Sequence, residues 1–457
     1  MRHTEVHQKL TKEQKEAIGL LSIGTFLEYF DLMLYVHMAV LLNELFFPKY
    51  SPHTMQLLAA IAFCSTYLLR PVGALAFGWI GDNLGRKFTV IITTSMMAVS
   101  CIVMASLPTF AEIGIAASWL VSICRIVQGM TSMGEITGAQ LYLTESLKPP
   151  GRYVGVATMN LSVALGTACA LCVAFFVTSY GLNWRLAFWL GAGIASVGIV
   201  ARTALRETPD FVNAKLRLRN ALEKLKDDEG NINPEEILEE NQIHIDNDKV
   251  SFKTTMSLLL LDCMWPVMFY YVYIHCANIL KYSFKYSAEQ IIQNNFLVSG
   301  VAVLNILLVV YLSNKIYPLK ILRIKLVLSA ITLLLVPFWL YRATTGFDIL
   351  IAQSLLLFFA CDASPANGVF FKYFPVFKRF TFASVIYAIS RVLVYVITSF
   401  SLVYLTDYFG HYGVYCITIP AIIGFAYGLN HFIKLEKEAQ NYHEKKTYIE
   451  SFVEANN

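Results

Sequence analysis

Gly78-Trp79-Ile80-Gly81-Asp82-Asn83-Leu84-Gly85-Arg86-Lys87 lies between two long apolar runs, and its reading decides the fold. The glycines allow two helix ends to approach closely and the chain to turn sharply. Asp82 and the Arg86-Lys87 pair place fixed charge where a chain leaves a bilayer. A soluble enzyme has little use for that combination, whereas a multi-spanning membrane protein needs it.

Composition agrees. Hydrophobic residues make up 56% of the 457, charged residues 15%, and the mean hydropathy is +0.54, a balance that excludes an ordinary soluble domain. A span needs roughly 20 mostly apolar residues. The chain offers about twelve such windows, near 17–45, 55–79, 88–107, 113–138, 155–179 and 184–204, then 256–280, 288–313, 321–341, 347–372, 380–406 and 411–433. Between Arg206 and Lys253 the composition turns to Glu, Lys, Asp and Asn with Leu and Ile at helical spacing. The expected organisation is an N-terminal six-helix bundle over 1–205, a linker over 206–254, a C-terminal six-helix bundle over 255–434 and a short tail over 435–457.

Lys and Arg crowd every second connection: Arg2 to Lys15, Arg86-Lys87, Lys148 and Arg152, Lys215 to Arg219, Lys315 to Lys325, and Lys378-Arg379. The positive-inside rule puts these in the cytoplasm with both termini, which requires an even number of spans. The first apolar run is too long for a cleavable signal peptide and lacks a small-residue cleavage pattern. The net charge of +4 belongs to loops and forms no nucleic-acid footprint.

The nine cysteines, Cys64, Cys101, Cys124, Cys169, Cys172, Cys263, Cys276, Cys361 and Cys416, fall mostly inside apolar windows and read as packing residues. Cys169 and Cys172 form a CxxC in a membrane helix without companion ligands, so no metal or redox centre is expected. No GxxxxGK[ST] loop is present, which argues against ATP-driven transport, and no nucleophile–base set suggests an enzyme. No cofactor or obligatory protein partner is expected beyond the bilayer, a small solute and protons.

Ionisable residues inside the windows carry the functional reading, because each costs at least about 2.5–3.5 kcal/mol at a helix centre unless it faces a cavity or a partner. Glu28 and Asp31, at i and i+3, share a face with Gly24 and Tyr35 and form an acidic stripe in the first window. Desolvation and mutual repulsion raise proton affinity, so one of them is expected to bind and release a proton. The alternative is an arginine lock, with Arg70 or Arg125 as partner. Arg125 and Gln128 share a face in the fourth window, and a guanidinium can clamp a carboxylate with two hydrogen bonds. Glu135 follows about 80° further round that helix, with proton coupling or packing as its open roles. The later windows hold Asp262, His275, Asp362 and Arg391; Asp362 and Arg391, both near mid-window, could form a buried pair. His275 and His37 read more readily as helix contacts than as relays. Phe and Tyr supply lipid-facing surface, and some rings could hold a quaternary ammonium.

Taken together, Gly24-Thr25-Phe26-Leu27-Glu28-Tyr29-Phe30-Asp31 ending in Phe46-Phe47-Pro48, Arg70-Pro71-Val72-Gly73, Arg125-x-x-Gln128-Gly129 with Gly134-Glu135, and Arg206-Glu207-Thr208-Pro209-Asp210-Phe211 resemble one family. It is the metabolite:proton symporter branch of the major facilitator superfamily, and within it the bacterial proline/betaine transporters. The resemblance implies an all-α membrane fold of twelve helices around a midplane cavity, working by alternating access in a bacterial inner membrane. It gives Glu28, Asp31, Arg125 and Glu135 coupling or substrate roles, and Gly78, Asp82, Gly85, Arg86 and Lys87 a gating role. Asn83 departs from the family's basic residue, and Leu312-Ser313-Asn314-Lys315-Ile316-Tyr317-Pro318 has lost the glycines and acid of the first signature. The tail shows no sustained heptads, so an osmosensing coiled coil is not expected. Window 155–179 lacks the Gly-Pro pair of drug antiporters, which favours import. The expected activity is proton-coupled symport of a small zwitterionic or carboxylate solute. The alternatives are a proton-independent facilitator or exchanger, and a receptor that has lost transport.

Overall fold

The computed structural model describes residues 11–46, 67–203, 205–227, 250–440 and 442. Among the described residues the principal helices are α1 (Lys12–Phe46), α2 (Arg70–Asn83), α3 (Arg86–Ser106), α4 (Ile115–Ser146), α5 (Gly151–Ser179), α6 (Arg185–Thr203), α7 (Phe252–Tyr282), α8 (Ala288–Ser313), α9 (Pro318–Arg342), α10 (Gly346–Phe358), α11 (Val376–Phe409) and α12 (Tyr415–Glu438), and eight of them contain a stretch long and apolar enough to cross a membrane. Each of the twelve apolar windows therefore contains helix. Most of the 55–79 window precedes α2, and its residues 55–66 lie outside the described residues, as does Cys64. Among its described residues the linker contributes one helix, Pro209–Asp227.

The apolar pattern explains which faces meet lipid. Leu68, just before α2, and Val72, Leu75 and Trp79 on it form one exposed stripe at helical spacing, while Gly73, Ala74, Phe77, Gly78 and Gly81 are buried opposite them. Lipid supplies no hydrophobic drive for helices to associate, so small residues that let backbones approach matter most. A Cβ on Gly78 would come 2.7 Å from the Cα of Thr381 on α11. Within the first half α1 packs on α5 and α6, and α3 on α4 and α6; within the second α7 packs on α11 and α12, and α10 on α8 and α9. The halves meet along two seams, α5 against α8 and α2 against α11.

Two elements depart from the sequence expectation. The 347–372 window is not one span: α10 stops at Phe358, residues 359–363 are non-helical, and short turns of helix resume at Ser364. Pro365 lacks an N–H and disfavours helix just before it. Asp362 accepts hydrogen bonds from the Ser364 amide (3.2 Å) and hydroxyl, giving the backbone a local alternative to the helix ladder. Lys325, which the sequence places with the connection charges, sits two turns inside α9. In α7, Pro266 precedes a π-helical turn at Tyr270–His275, whose Tyr273 reaches the central cavity.

Candidate functional site

Two chambers lie between the halves. The first is walled by Tyr29, Tyr67, Trp265, Phe269, Tyr273 and Tyr395, with Arg70 and Arg391 also in its lining. The second lies closer to the linker end of the bundle and is polar, with Gln140, Asn160, Asn305, Lys325, Asp362 and Ser364. Tyr29, Trp265, Tyr387 and Arg391 line both, and the Tyr29 and Tyr387 hydroxyls meet at 3.2 Å across the halves.

Arg70 is 3% exposed, stacks on the Tyr67 ring at 4.2 Å, and leaves Nε and Nη2 without a hydrogen-bond partner among the described residues. A buried guanidinium with idle donors in the wall of a cavity is suited to receive a carboxylate. Arg391 is engaged: it stacks on Tyr387 at 3.6 Å and donates to the Asp262 carbonyl (3.0 Å), with the Asp262 carboxylate at 4.0 Å. The expected Asp362–Arg391 pair is thus replaced by Asp262–Arg391, because Asp362 sits in the α10 break and bonds Ser364 instead.

The acidic stripe faces away from these chambers, into the N-terminal bundle. Glu28 and Asp31 are 1% and 2% exposed. Asp31 makes no hydrogen bond of standard geometry among the described residues; its polar neighbours are Cys101, Arg125 and Gln128. Arg125 donates to the Gln128 side-chain oxygen Oε1 (3.0 Å) and lies 3.9 Å over the Tyr35 ring. Asp31, Tyr35, Arg125 and Gln128 therefore form one cluster, and Arg125 is also within electrostatic reach of Tyr67 and Arg70. A chain of charges runs from Asp31 through Arg125 to the chamber wall. The side chains of Glu135 and His37 lie outside the described residues.

The signature turn closes the linker end. Asp82 accepts from the Phe380 amide (3.1 Å) and from the amide and hydroxyl of Thr381 (2.9 and 2.7 Å), joining the halves. Arg86, fully buried, donates Nε and Nη2 to Glu145 (both 3.1 Å), Nη1 to the Gly81 carbonyl (2.6 Å) and Nη2 to the Val376 carbonyl (2.6 Å). Glu145 also accepts from Thr208 (2.6 Å) and from Arg379 (3.2 Å). Gly85 takes φ +123°, and its missing side chain leaves room for Glu207, which receives the amides of Arg86 (3.0 Å), Lys87 (3.2 Å) and Thr208 (2.9 Å). An acid at the N-terminus of α3 also suits the helix dipole. Nearby, burial beside Glu145 pushes the Asp210 carboxyl up, against the pull of Arg379 and Arg152.

Sequence reasoning missed Glu145, Glu207, Lys325 and Tyr387, and it singled out Asp262 without its partner Arg391. The first two had a signal: Glu207 stood in the helix-exit motif, and Glu145 closes a long apolar helix just before Lys148.

A family model described as Major Facilitator Superfamily matches residues 21–357. The chain belongs to the Major Facilitator Superfamily. It is a transporter-class membrane protein and not an enzyme. Among curated relatives, the proline/betaine transporter of Salmonella typhimurium is 32% identical over 206 residues, 43% of this chain and 41% of that one. A putative proline/betaine transporter of Staphylococcus aureus is 32% identical over 211 residues, 44% and 45% of the two chains. The match thus spans less than half the length of these relatives. Among solved structures, the proton:xylose symporter XylE of E. coli superposes with TM-score 0.73 at 16% identity, covering 91% of this chain and 94% of that one. The human organic anion transporter MFSD10 gives 0.58 at 13%, covering 93% and 100%. At such identities these major facilitator structures speak for the fold alone.

Proposed function

We propose that this major facilitator protein imports a small zwitterionic or carboxylate solute, of the proline or betaine kind, together with a proton. It would sit in a bacterial inner membrane with its linker and signature turn in the cytoplasm. The observation that carries the reading is the charge chain Asp31–Arg125–Arg70. A proton on Asp31 removes the anion that offsets Arg125, so positive charge rises beside Arg70 and favours a solute carboxylate there. Linkage makes the effect mutual: the bound carboxylate draws the proton onto Asp31. The rings of Trp265 and Tyr273 in the same chamber offer a cationic end of the solute cation–π attraction. The names of the curated relatives support this solute class, and the arginine favours it over a neutral sugar.

The test is uptake of labelled proline, glycine betaine and a panel of organic acids into proteoliposomes, with and without an inward proton gradient. We expect gradient-driven accumulation of one solute, falling at least about tenfold in Asp31→Asn while solute exchange without net proton flux persists. Equal downhill flux with and without the gradient would sink proton coupling and leave a facilitator.

A further inference from the structure

The polar chamber at the α10 break has the makings of a site of its own. Lys325 on α9 donates to Asn305 Oδ1 (3.0 Å), whose amide nitrogen in turn donates to the Leu357 carbonyl (3.3 Å). This fixes the ammonium and leaves it further N–H donors. Asp362 is held by Ser364 on non-helical backbone. In a membrane protein, irregular backbone at depth is tolerated where it lines a cavity, and carriers place binding groups there.

Lys325 and Asp362 line the same chamber and attract one another, yet they do not close to a 4.0 Å pair. Opposite charges in a low-dielectric enclosure gain by collapsing together. Their being held apart by separate anchors, Asn305 for one and Ser364 for the other, leaves a gap with a positive and a negative wall. A second observation points to a ligand. Asn160 on α5, 8% exposed, accepts from Gln140 (3.3 Å) but its Nδ2 has no hydrogen-bond partner among the described residues. Asn160 lines the same chamber. Gln140 is itself tied to Asn367 of the second half at 2.7 Å, so the walls come together from both bundles.

We infer that this chamber is a second solute site, distinct from the one at Arg70, which takes a small zwitterion with its carboxylate toward Lys325 and Asn160 and its cationic end toward Asp362. The inference rests on the transport reading for the solute class. The two chambers recognise differently: the aromatic one supplies an arginine and ring faces, and the polar one supplies both signs of charge. The Tyr29–Tyr387 contact stands between them, so a solute would be handed from one to the other when it parts. Neither chamber need release the solute to water in between.

The experiment is equilibrium binding of labelled L-proline and glycine betaine to the full chain in nanodiscs, read as moles bound per mole of protein. For the wild type we expect two saturable sites for one of these zwitterions. Lys325→Met with Asp362→Asn should reduce the count to one, Lys325→Arg should keep two, and Arg70→Met should remove the other site alone. One site in the wild type, or two persisting in Lys325→Met/Asp362→Asn, would overturn the proposal. Binding of propionate but of neither zwitterion would overturn it too, while leaving a carboxylate carrier intact. The transport reading fails separately, by the absence of gradient-driven uptake.

Discussion

The two halves close their linker ends by different chemistry. At the first half's turn it is formal charge: Arg86, joined by Arg379 from α11 of the second half, converges on the buried Glu145, and Asp82 reaches across to α11. In the second half the equivalent turn has lost its acid and glycines, and the carboxylate comes from Glu436 near the end of α12. Glu436 is 1% exposed and accepts from the hydroxyls of Tyr317 and Tyr373, the latter at 2.5 Å. Tyr317 then packs edge-on against Tyr153 of the first half, with centroids 5.7 Å apart. A carboxylate buried with two arginines is costly to form and costlier to break, whereas one solvated by phenol hydroxyls is cheaper in both directions. One repeat can therefore act as a firm lock while the other keeps a softer latch.

The sharpest way to break this contrast is Glu145→Gln. It leaves Arg86 and Arg379 buried with half their compensation, which for a broken buried pair costs about 3–5 kcal/mol. We expect a large fall in the thermal midpoint of the purified protein and loss of the linker-closed state, seen as increased labelling of a cysteine placed at Asn160. A midpoint within a degree or two of wild type would mean that the network is ornamental to folding.

The softer half should respond less. Glu436→Gln keeps an acceptor and removes the charge, so its hydrogen bonds weaken without stranding a cation; the expected loss is about 1–2 kcal/mol. Tyr373→Phe should resemble it. The comparison rests on the ratio: if Glu436→Gln costs as much as Glu145→Gln under the same conditions, the halves are locked equally and the asymmetry is one of residue type only.

This contrast also shows what the sequence could tell. The span windows were legible because lipid demands about 20 apolar residues wherever a helix crosses, and the signature turn because glycine and charge coincide there. Intramembrane charges such as Asp31 and Arg70 stood out for the same reason. Their partners did not. Arg379 and Glu145 are 234 residues apart, and nothing local to either predicts the meeting. Lys325 was misplaced because hydropathy cannot separate a charge at a helix's edge from one two turns inside. The α10 break hid inside an apolar stretch, Phe359-Ala360-Cys361, and only the Asp362-x-Ser364-Pro365 pattern marked it.

That break gives the smallest and most discriminating change. α4 runs unbroken for 32 residues, whereas its counterpart α10 stops after 13. If Pro365 alone imposed the stop, Pro365→Ala would let helix propagate, drawing Asp362 out of its bond to Ser364 and altering solute binding in the polar chamber. If Asp362 and Ser364 hold the turn by themselves, the substitution only returns backbone freedom to the unfolded chain. The cost is then about 0.4–1 kcal/mol, with binding unchanged. We expect the second outcome, because both Asp362 oxygens are committed to Ser364 while Pro365 already sits where a helical start tolerates it. Differential scanning fluorimetry on Pro365→Ala and on Ser364→Ala separates the two: the serine variant should lose more than the proline variant. The reverse order would show that proline, and not the carboxylate, cuts the second half's helix where the first half's continues.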